Sequence, residues 1–335
     1  MLKVGIAGIG MMGNTHLEAY SKLKGVKVVA VADLIKARRE GRVAVAGNVK
    51  GQAQSSTDFS TFRQYVEAAD MIVDPDIDII DICLPTPSHA KYAMMALKAG
   101  KHVLTEKPFA RTAREAQQLA QAAAKADTLL MCAMCMRFWP AWTWLKEAID
   151  KEAYGPVLGA TFRRVTSLPP GDFYADADLN GGAILDLHIH DTDFIQHCFG
   201  KPQAVYSRGY SHTTSGIDHI LTHYIYDHIP LVTAEGSWAL NKAFGFAMQY
   251  TVNFAHATAV FDISAEPQLK LMRNGKTTAV KIKDGVGYEH EIAYFVKCVK
   301  NGTRPEVIDP TSAALSVTIV EAEKKSLETG RIVNI

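Results

Sequence analysis

The segment Gly8-Ile9-Gly10-Met11-Met12-Gly13 decides the fold of the first half of this chain. It follows the strand-like run Lys3–Ala7 and opens a stretch with a helical pattern. Glycines at this spacing allow a tight turn, let the backbone approach a pyrophosphate and pack a helix on a strand. The helix N-terminus adds amide donors and partial positive charge. The segment predicts a dinucleotide-binding loop made of Gly8, Gly10, Met11, Met12 and Gly13.

An acidic residue stands where such a loop needs one. Asp33 ends the second strand-like run, Val26–Ala32, and follows Gly13 by 20 positions. A carboxylate there can bind both hydroxyls of the adenosine ribose, and it would repel a 2′-phosphate. This favours NAD over NADP as the cofactor. Arg38 and Arg39 lie farther along, and we interpret them as part of a solvated helix face.

Length and composition are those of an ordinary globular protein. The chain has 335 residues, 48% hydrophobic and 21% charged, which favours two domains. A formal net charge of +1 without blocks of like charge predicts neither a nucleic-acid nor a membrane partner. A strand that starts at Leu2 leaves no room for a signal peptide. Five cysteines, an odd number, favour reduced thiols in the cytoplasm.

The first part of the chain, residues 1–126, alternates strand-like and helical runs, which predicts a doubly wound parallel sheet of the Rossmann type. Ser88 and Thr112 are suitable N-caps for two of the helices. We interpret Cys132 and Cys135 as buried strand cysteines rather than a redox or zinc pair. The predicted strands are Lys3–Ala7, Val26–Ala32, Ile77–Leu84, His102–Leu104 and Leu129–Cys135.

The second part, residues 127–335, has a different pattern. The run Gln249–Phe254 alternates polar and apolar residues, as a half-buried strand does, and Asn274-Gly275 predicts a hairpin turn. Helices are predicted at 141–149, around Tyr288–Val299, and at 311–329. The expected fold is therefore α/β plus α+β, with an open, mostly antiparallel sheet in the second domain.

Lys107, in Glu106-Lys107-Pro108, follows the last residues of a predicted buried strand. A lysine at the end of a strand of the cofactor-binding sheet marks a place where chemistry can happen. The competing interpretation is an exposed loop lysine in front of a proline that starts a helix.

The segment Gly181–Asp193 places a second set of polar groups within an apolar run. Interpreted as a helix, it puts Asp186 and His190 four residues apart on one face, and Asp193 and His197 continue that face. Such a face predicts a cleft in which histidine is a general base and a carboxylate orients it. Metal binding through His188 and His190, core histidines, and a simply solvated face remain open, and no metal is predicted.

These residues are similar to those of the Gfo/Idh/MocA family, the family of glucose–fructose oxidoreductase, inositol dehydrogenase and rhizopine catabolism proteins. The resemblance covers essentially the whole chain. Glu106-Lys107-Pro108 and the spacing of Asp186 and His190 are its specific parts. It also rests on the glycine loop with Asp33, on Leu84–His89, on Ala99–Pro108, on Arg137-Phe138 with Pro140, and on Tyr288–Phe295.

The resemblance implies an NAD-dependent dehydrogenase acting on a sugar, a sugar derivative or an inositol-like polyol. Lys107 is then expected to contact the reacting oxygen, His190 to act as acid and base, and Asp186 to orient it or hold a hydroxyl. The Lys107–Pro108 peptide is expected to be cis. Further cofactor-binding residues are expected at Thr86, Pro87, His89, Glu106 and Lys107, and further substrate-binding residues at Arg137 and Trp139.

By the same resemblance, the second domain is expected to bind substrate and to form a homodimer or homotetramer. Many relatives carry glycine where this chain has His188, and the larger ring either narrows the pocket or packs elsewhere. Two other functions are alternatives: a glycoside hydrolase or lyase that retains NAD for transient oxidation, and a non-catalytic dinucleotide sensor. The presence of Lys107, Asp186 and His190 together favours the dehydrogenase.

Overall fold

The computed structural model describes residues 1–41 and 59–335, with the backbone alone at Asp172. The described strands are β1 Leu2–Ala7, β2 Val26–Ala32, β3 Arg63–Tyr65, β4 Ile79–Ile82, β5 His102–Glu106, β6 Leu130–Ala133, β7 Val157–Thr166, β8 Ala204–Tyr210, β9 His219–Ile225, β10 Leu231–Ser237, β11 Phe246–Phe254, β12 Thr258–Asp262, β13 Leu269–Arg273, β14 Lys276–Ala279 and β15 Val333–Asn334. The described helices are α1 Met11–Ser21, α2 Lys36–Arg39, α3 Ala68–Ile72, α4 His89–Lys98, α5 Ala113–Lys125, α6 Pro140–Asp150, α7 Asp172–Ala175, α8 Ala177–Asn180, α9 Ile189–Phe199, α10 Gly287–Asn301 and α11 Pro310–Thr329. In the described chain, none of these helices has both the length and the apolar content that crossing a membrane requires.

The chain divides into two compact units. The first comprises Met1–Cys135 and Val286–Ala314, and the second comprises Met136–Gly285 and Leu315–Ile335. This division differs from a single boundary after residue 126. Strand β6 belongs to the first unit because it pairs with β5, and α10 belongs there because it packs on α1.

The first unit is built on a parallel sheet, which confirms the Rossmann prediction. Its strand order among described residues is β3-β2-β1-β4-β5-β6, and every pair in it is parallel. The order reverses direction between β1 and β4, and in sheets of this kind ligands bind beyond the carboxyl ends of the strands at that point. The central strand β4 is buried along its whole length, as a sheet covered on both faces requires.

Local signals explain some helix ends. Thr112 accepts a hydrogen bond from the amide of Glu115, and the Glu115 carboxylate accepts one from the amide of Thr112, so α5 begins with a capping box. Ser88 precedes α4 as predicted, but its side chain makes no capping hydrogen bond in the described structure. Cys132 and Cys135 are buried and form no disulfide, in agreement with their interpretation as core residues, although only Cys132 lies in a strand and Cys135 lies in the turn that follows it.

The second unit contains a nine-stranded sheet in the order β14-β13-β12-β11-β7-β10-β9-β8-β15 among described residues. Its pairs are antiparallel except for β7 with β10, so the expected open, mostly antiparallel sheet is confirmed. The predicted hairpin forms at Asn274-Gly275 between β13 and β14. Buried polar contacts join one face of this sheet to α9 and to the part of α11 in this unit.

Candidate active site

The glycine loop of the first unit has the shape that a pyrophosphate needs. A Cβ atom at Gly13 would lie 2.0 Å from the carbonyl oxygen of Gly8, so helix α1 can approach the loop only with glycine there. At Gly10, by contrast, no described atom lies within 4 Å of a would-be Cβ. This free space above the start of α1, whose first-turn amides are available donors, fits a dinucleotide phosphate.

Asp33 is tied to the loop rather than free beside it. Its Oδ2 accepts a hydrogen bond from the amide of Ile9 at 2.9 Å, and its Oδ1 accepts one from the amide of Ile35 at 2.8 Å. The side chain is almost completely buried. The carboxylate therefore links the glycine loop to the end of β2, where the ribose hydroxyls of a dinucleotide bind.

Arg38 and Arg39 are not a solvated helix face, and that interpretation was wrong. The Arg38 guanidinium lies 3.8 Å from Oδ2 of Asp33, and the Arg39 guanidinium donates a hydrogen bond to the backbone oxygen of Asp33. The short helix α2 turns both side chains back toward the end of β2. Two cations beside Asp33 reduce the repulsion that its carboxylate alone would exert on a 2′-phosphate.

Lys107 lies directly after β5, between the buried residues Glu106 and Pro108. The peptide bond between Lys107 and Pro108 is cis, as the resemblance implied. Thr86 and Pro87 form a short turn after the neighbouring strand β4, with Thr86 buried and Pro87 exposed. Because β4 and β5 are adjacent and parallel, both segments leave the sheet at the same edge as the glycine loop.

Two of the residues expected to bind cofactor have their side chains directed elsewhere. The Glu106 carboxylate contacts His16 and the amide of Lys107. The His89 ring is buried and bridges two backbone oxygens, with Nδ1 2.7 Å from the oxygen of Pro108 and Nε2 2.7 Å from that of Leu84. These contacts favour a role in holding the two loops over a direct contact with the cofactor.

A buried polar group beneath this edge was missed by the sequence analysis. His16 of α1, Asp81 of β4 and Cys83 bring three possible ligand atoms within 4.8 Å of one another. A metal ion is not the best account of them, because both ring nitrogens of His16 face carboxylates and burial raises the pKa of the Cys83 thiol. The available signal was a carboxylate, Asp81, within the apolar strand Ile79–Ile82.

In the second unit, the segment that carries Asp186 and His190 is not one regular α-helix. Residues Ile184–His188 form a π-helical turn, and α9 begins only at Ile189. A π-turn widens the helix and shifts the side chains, so the predicted four-residue face does not apply across it. Such turns are frequent at functional sites. Asp186 and His190 are both half-buried.

His188 packs away into the core of the second unit. The ring is fully buried, and a Cβ atom at Gly236 of β10 would lie 2.7 Å from it, so glycine there makes room for the imidazole. Its Nε2 lies 3.3 Å from the hydroxyl of Tyr224 and 3.5 Å from Oε2 of Glu323. Burial, together with the charges of Arg164 and His219, lowers the pKa of His188 to about 3.

Arg137 and Asp193 are paired with each other inside the second unit. Nε and one terminal nitrogen of Arg137 donate to the two carboxylate oxygens of Asp193 at 2.9 and 2.7 Å, and Ser316 donates to the same carboxylate at 2.7 Å. Asp193 therefore does not continue a cleft-lining face, contrary to the prediction. For Arg137, this buried pair favours a structural role over substrate binding.

Trp139, the other residue expected to bind substrate, and the aromatic residues of α7 all belong to the second unit. Trp139 is half-buried at the start of α6. Phe173 and Tyr174 pack edge to face, with ring centroids 5.2 Å apart, and Tyr174 also contacts Trp238. The side chain of Asp172 lies outside the described part of the structure.

A parallel sheet with a glycine loop and a terminal acidic residue, followed by a separate open sheet, defines a two-domain dinucleotide-binding protein of the Rossmann class. Family comparison agrees. A model described as "Oxidoreductase family, NAD-binding Rossmann fold" matches residues 2–134, and one described as "GFO/IDH/MocA C-terminal domain" matches residues 142–260. The chain belongs to the Gfo/Idh/MocA family.

Curated relatives include several dehydrogenases. The chain is 32% identical over 226 residues to trans-1,2-dihydrobenzene-1,2-diol dehydrogenase of Xenopus laevis, a match that spans 66% of this chain and 64% of that protein. It is 26% identical to D-xylose 1-dehydrogenase (NADP(+)) 2 of Haloferax volcanii over 93% of this chain and 97% of the relative. The solved structure of levoglucosan dehydrogenase with NADH and levoglucosan shares the fold, with a TM-score of 0.85 at 20% identity and coverage of 100% and 99%.

Proposed function

We propose that this protein is a nicotinamide-dependent dehydrogenase that acts on a secondary alcohol of a sugar, a sugar derivative or an inositol-like polyol. One observation carries the proposal. Lys107 directly follows the carboxyl end of β5, at the same edge of the parallel sheet as the glycine loop. A cation there is suited to stabilise negative charge on an oxygen that reacts beside a bound nicotinamide. The relatives, which include a diol dehydrogenase and a xylose dehydrogenase, support the same class of substrate.

The chemistry needs one hydride and one proton to leave the substrate carbinol. A bound nicotinamide supplies the hydride acceptor. Lys107 binds the reacting hydroxyl and stabilises charge that develops on its oxygen. His190 accepts the hydroxyl proton as the carbonyl forms, and Asp186 orients His190 or holds a neighbouring hydroxyl. In the reverse direction, His190 returns the proton to the oxygen.

For the cofactor, we propose a preference for NAD. Asp33 supports it, because its carboxylate stands at the end of β2 where it can accept hydrogen bonds from ribose hydroxyls. Arg38 and Arg39 act in the opposite sense. Fluorescence titration should give an affinity for NADH at least about tenfold higher than for NADPH. Equal affinities would contradict the preference and would indicate that Arg38 and Arg39 offset the repulsion between Asp33 and the 2′-phosphate of NADPH.

For the assembly, we propose a homodimer or homotetramer formed through the uncovered face of the second unit's sheet. Tyr210, Leu221 and Leu231 are 48%, 47% and 47% exposed, and they share this face by strand register. Exposed apolar residues on the open face of a sheet favour burial against a second copy. Sedimentation should show an oligomer that dissociates in Leu221→Asp, and a wild-type monomer would contradict this assembly.

For the location, we propose the cytoplasm. None of the five cysteines forms a disulfide in the described structure, and Cys132, Cys135 and Cys298 are buried. Free thiols in this number are typical of a reducing compartment. A disulfide found in protein purified from its native cells under thiol-blocking conditions would contradict the proposal.

The substrate class is tested by recording NADH formation with added NAD against D-xylose, myo-inositol, levoglucosan and related polyols. We expect one class to give NADH, and His190→Ala to reduce that rate by about a thousandfold while NAD affinity stays within about threefold. Wild-type protein that binds NAD tightly but forms no NADH on any compound would overturn the dehydrogenase proposal. In that case, product analysis would show whether glycosides are cleaved with retained NAD.

A further inference from the structure

A chain of buried polar contacts connects helix α1 to the residue before Lys107. Nδ1 of His16 lies 2.9 Å from Oδ2 of Asp81, and Nε2 of His16 lies 3.0 Å from Oε1 of Glu106. The three side chains come from α1, β4 and β5, and all are buried. One imidazole therefore bridges two carboxylates inside the first unit.

The contacts determine the charge of the His16 ring. A carboxylate can only accept hydrogen bonds, so two carboxylates on opposite nitrogens require both nitrogens to donate. Burial alone would lower the pKa of His16, but the charge of Asp81 and the hydrogen bond to it raise the pKa well above its ordinary value. Burial alone would likewise raise the pKa of Glu106, but His16 and Lys107 hold it below its usual value. The bridge is a cation between two anions.

The second oxygen of Glu106 extends the chain to Lys107. Oε2 accepts a hydrogen bond from the backbone amide of Lys107 at 2.9 Å. Glu106 is thus held at both oxygens, by the ring of His16 and by the peptide from which the Lys107 side chain departs. A hydrogen bond to a charged acceptor is stronger than one between neutral groups.

The other titratable groups around this bridge leave His16 as its central cation. Glu291 of α10 is fully buried, and its carboxyl oxygens have no hydrogen-bond partner among the described residues. Burial, and then the charge of Glu106, raise the pKa of Glu291 well above its usual value, so that it is a neutral acid. Burial also raises the pKa of the Cys83 thiol and of the Tyr20 hydroxyl, so that both groups stay neutral. The groups that face the bridge are Tyr20, Cys83, His89, Lys107 and Glu291.

We propose that His16 is a positioning residue for Lys107: its charged ring holds the carboxylate of Glu106, and that carboxylate fixes the amide of Lys107. The inference rests on the function proposed above for Lys107. Without the ring, Glu106 and Asp81 lose the cation that bridges them in the core. Glu106 then takes up a proton or turns away. In either case, the hydrogen bond from the Lys107 amide to the Glu106 carboxylate weakens.

The test compares His16→Gln and His16→Asn with Cys83→Ala in the full chain saturated with NADH. Cys83 contacts His16 and Asp81 at 3.5 Å, so the control disturbs the same core but leaves the bridge intact. Hydrogen exchange at the Lys107 amide, followed by NMR, should be at least about tenfold faster in the His16 variants. Exchange at Val103 within β5 should be unchanged in all three variants.

Turnover is measured alongside with the compound of the panel that forms NADH fastest. We expect kcat to fall by about a hundredfold in the His16 variants, because a displacement of the order of 1 Å is enough for that loss. The affinity of the His16 variants for NADH should stay within about threefold of the wild-type value. Cys83→Ala should match the wild type in both kcat and affinity for NADH. A general loss of structure would instead speed exchange at Val103 and weaken NADH binding.

If a His16 variant folds and the hydrogen-exchange rate of its Lys107 amide is unchanged, the proposal is overturned. If neither variant folds, Glu106→Leu decides, because the chain of contacts passes through Glu106 and the same local increase in exchange is required. Lys107→Met separates this inference from the proposed function. Wild-type turnover in Lys107→Met would refute the catalytic role of Lys107, whereas the exchange data would still report whether His16 holds its amide.

Discussion

The two units each bury a histidine completely, but the ring in the first unit is charged and the ring in the second unit is neutral. His16 in the first unit lies between two carboxylates, and its pKa is raised well above the ordinary value. His188 in the second unit lies beside a tyrosine hydroxyl and the Glu323 carboxyl, and its pKa is lowered to about 3. Burial is equal in the two cases, so the partners determine the charge.

The surroundings of each ring explain the difference. Asp81 and Glu106 are acceptors at hydrogen-bond distance from both nitrogens of His16, which stabilises the imidazolium. At His188, Nδ1 has no hydrogen-bond partner among the described residues, and the positive charge of Arg164 opposes protonation. Burial in turn raises the pKa of Glu323 to about 8, so the acid next to His188 is neutral at pH 7. The first cluster is ionic and the second is neutral.

The largest expected effect comes from replacing the two rings by leucine. His16→Leu leaves two buried carboxylates without their cation and should destabilise the first unit by about 3–5 kcal/mol. His188→Leu exchanges a neutral ring for an apolar side chain and should cost only about 1 kcal/mol. Urea unfolding curves of the two variants measure both values. Equal losses would mean that the two clusters do not differ in charge.

The second effect is a pH dependence that arises from Glu323. Its pKa is raised from 4.5 to about 8, so the folded protein favours the neutral acid. This contribution to stability is complete below pH 4.5 and is lost as the pH rises to about 8. Glu323→Gln stays neutral and should exceed the wild type in stability by roughly 2–4 kcal/mol at pH 8 relative to pH 4.5. Parallel stability curves for the two proteins would contradict the raised pKa.

The third effect appears on the acid side, and of the two histidines only His188 produces it. The lowered pKa of His188 means that its contribution is complete above pH 6.5 and is lost as the pH falls toward 3. The contribution of His16 is complete below pH 6.5 and is lost only as the pH rises through its raised pKa. Between pH 6.5 and 4.5, wild type should lose roughly 2 kcal/mol more than His188→Gln. Stability curves that fall equally in the two proteins would assign His188 an ordinary pKa.

The smallest effect concerns the tyrosine hydroxyl of the neutral cluster. Tyr224 lies 2.9 Å from the hydroxyl of Thr192 and 3.3 Å from Nε2 of His188. Because these are hydrogen bonds between uncharged groups, Tyr224→Phe should cost only about 1 kcal/mol. Thermal unfolding at pH 7 measures the change. A loss of 3 kcal/mol or more would show that the cluster carries charge.

Features with a local cause could be predicted from the sequence. The hairpin at Asn274-Gly275 and the capping box at Thr112 depend on a few consecutive residues, and both are present. The parallel sheet could also be predicted, because its buried strands are short apolar runs between helical segments. Strand β3 could not, since its three residues are polar and mostly exposed.

Features that depend on distant partners were missed. Val286–Ala314 returns to the first unit because α10 packs on α1, a contact between segments separated by most of the chain. The pairing of Arg137 with Asp193 is likewise between residues 56 positions apart. Lys107 was found because its strand and its motif are adjacent in sequence, whereas the bridge from His16 to Glu106 spans 90 positions.

The most direct test of the proposed function compares two lysines at opposite ends of one strand. Lys101 precedes β5 and donates hydrogen bonds to the backbone oxygens of Asp74 and Ile77, both at 2.7 Å. Lys107 follows β5, at the edge of the sheet where the glycine loop lies. NADH formation and urea unfolding are measured for Lys101→Met and Lys107→Met. We predict that Lys107→Met loses turnover by about a thousandfold with stability nearly unchanged, and that Lys101→Met loses stability by about 2–3 kcal/mol but keeps its turnover. Wild-type turnover in Lys107→Met would contradict the account.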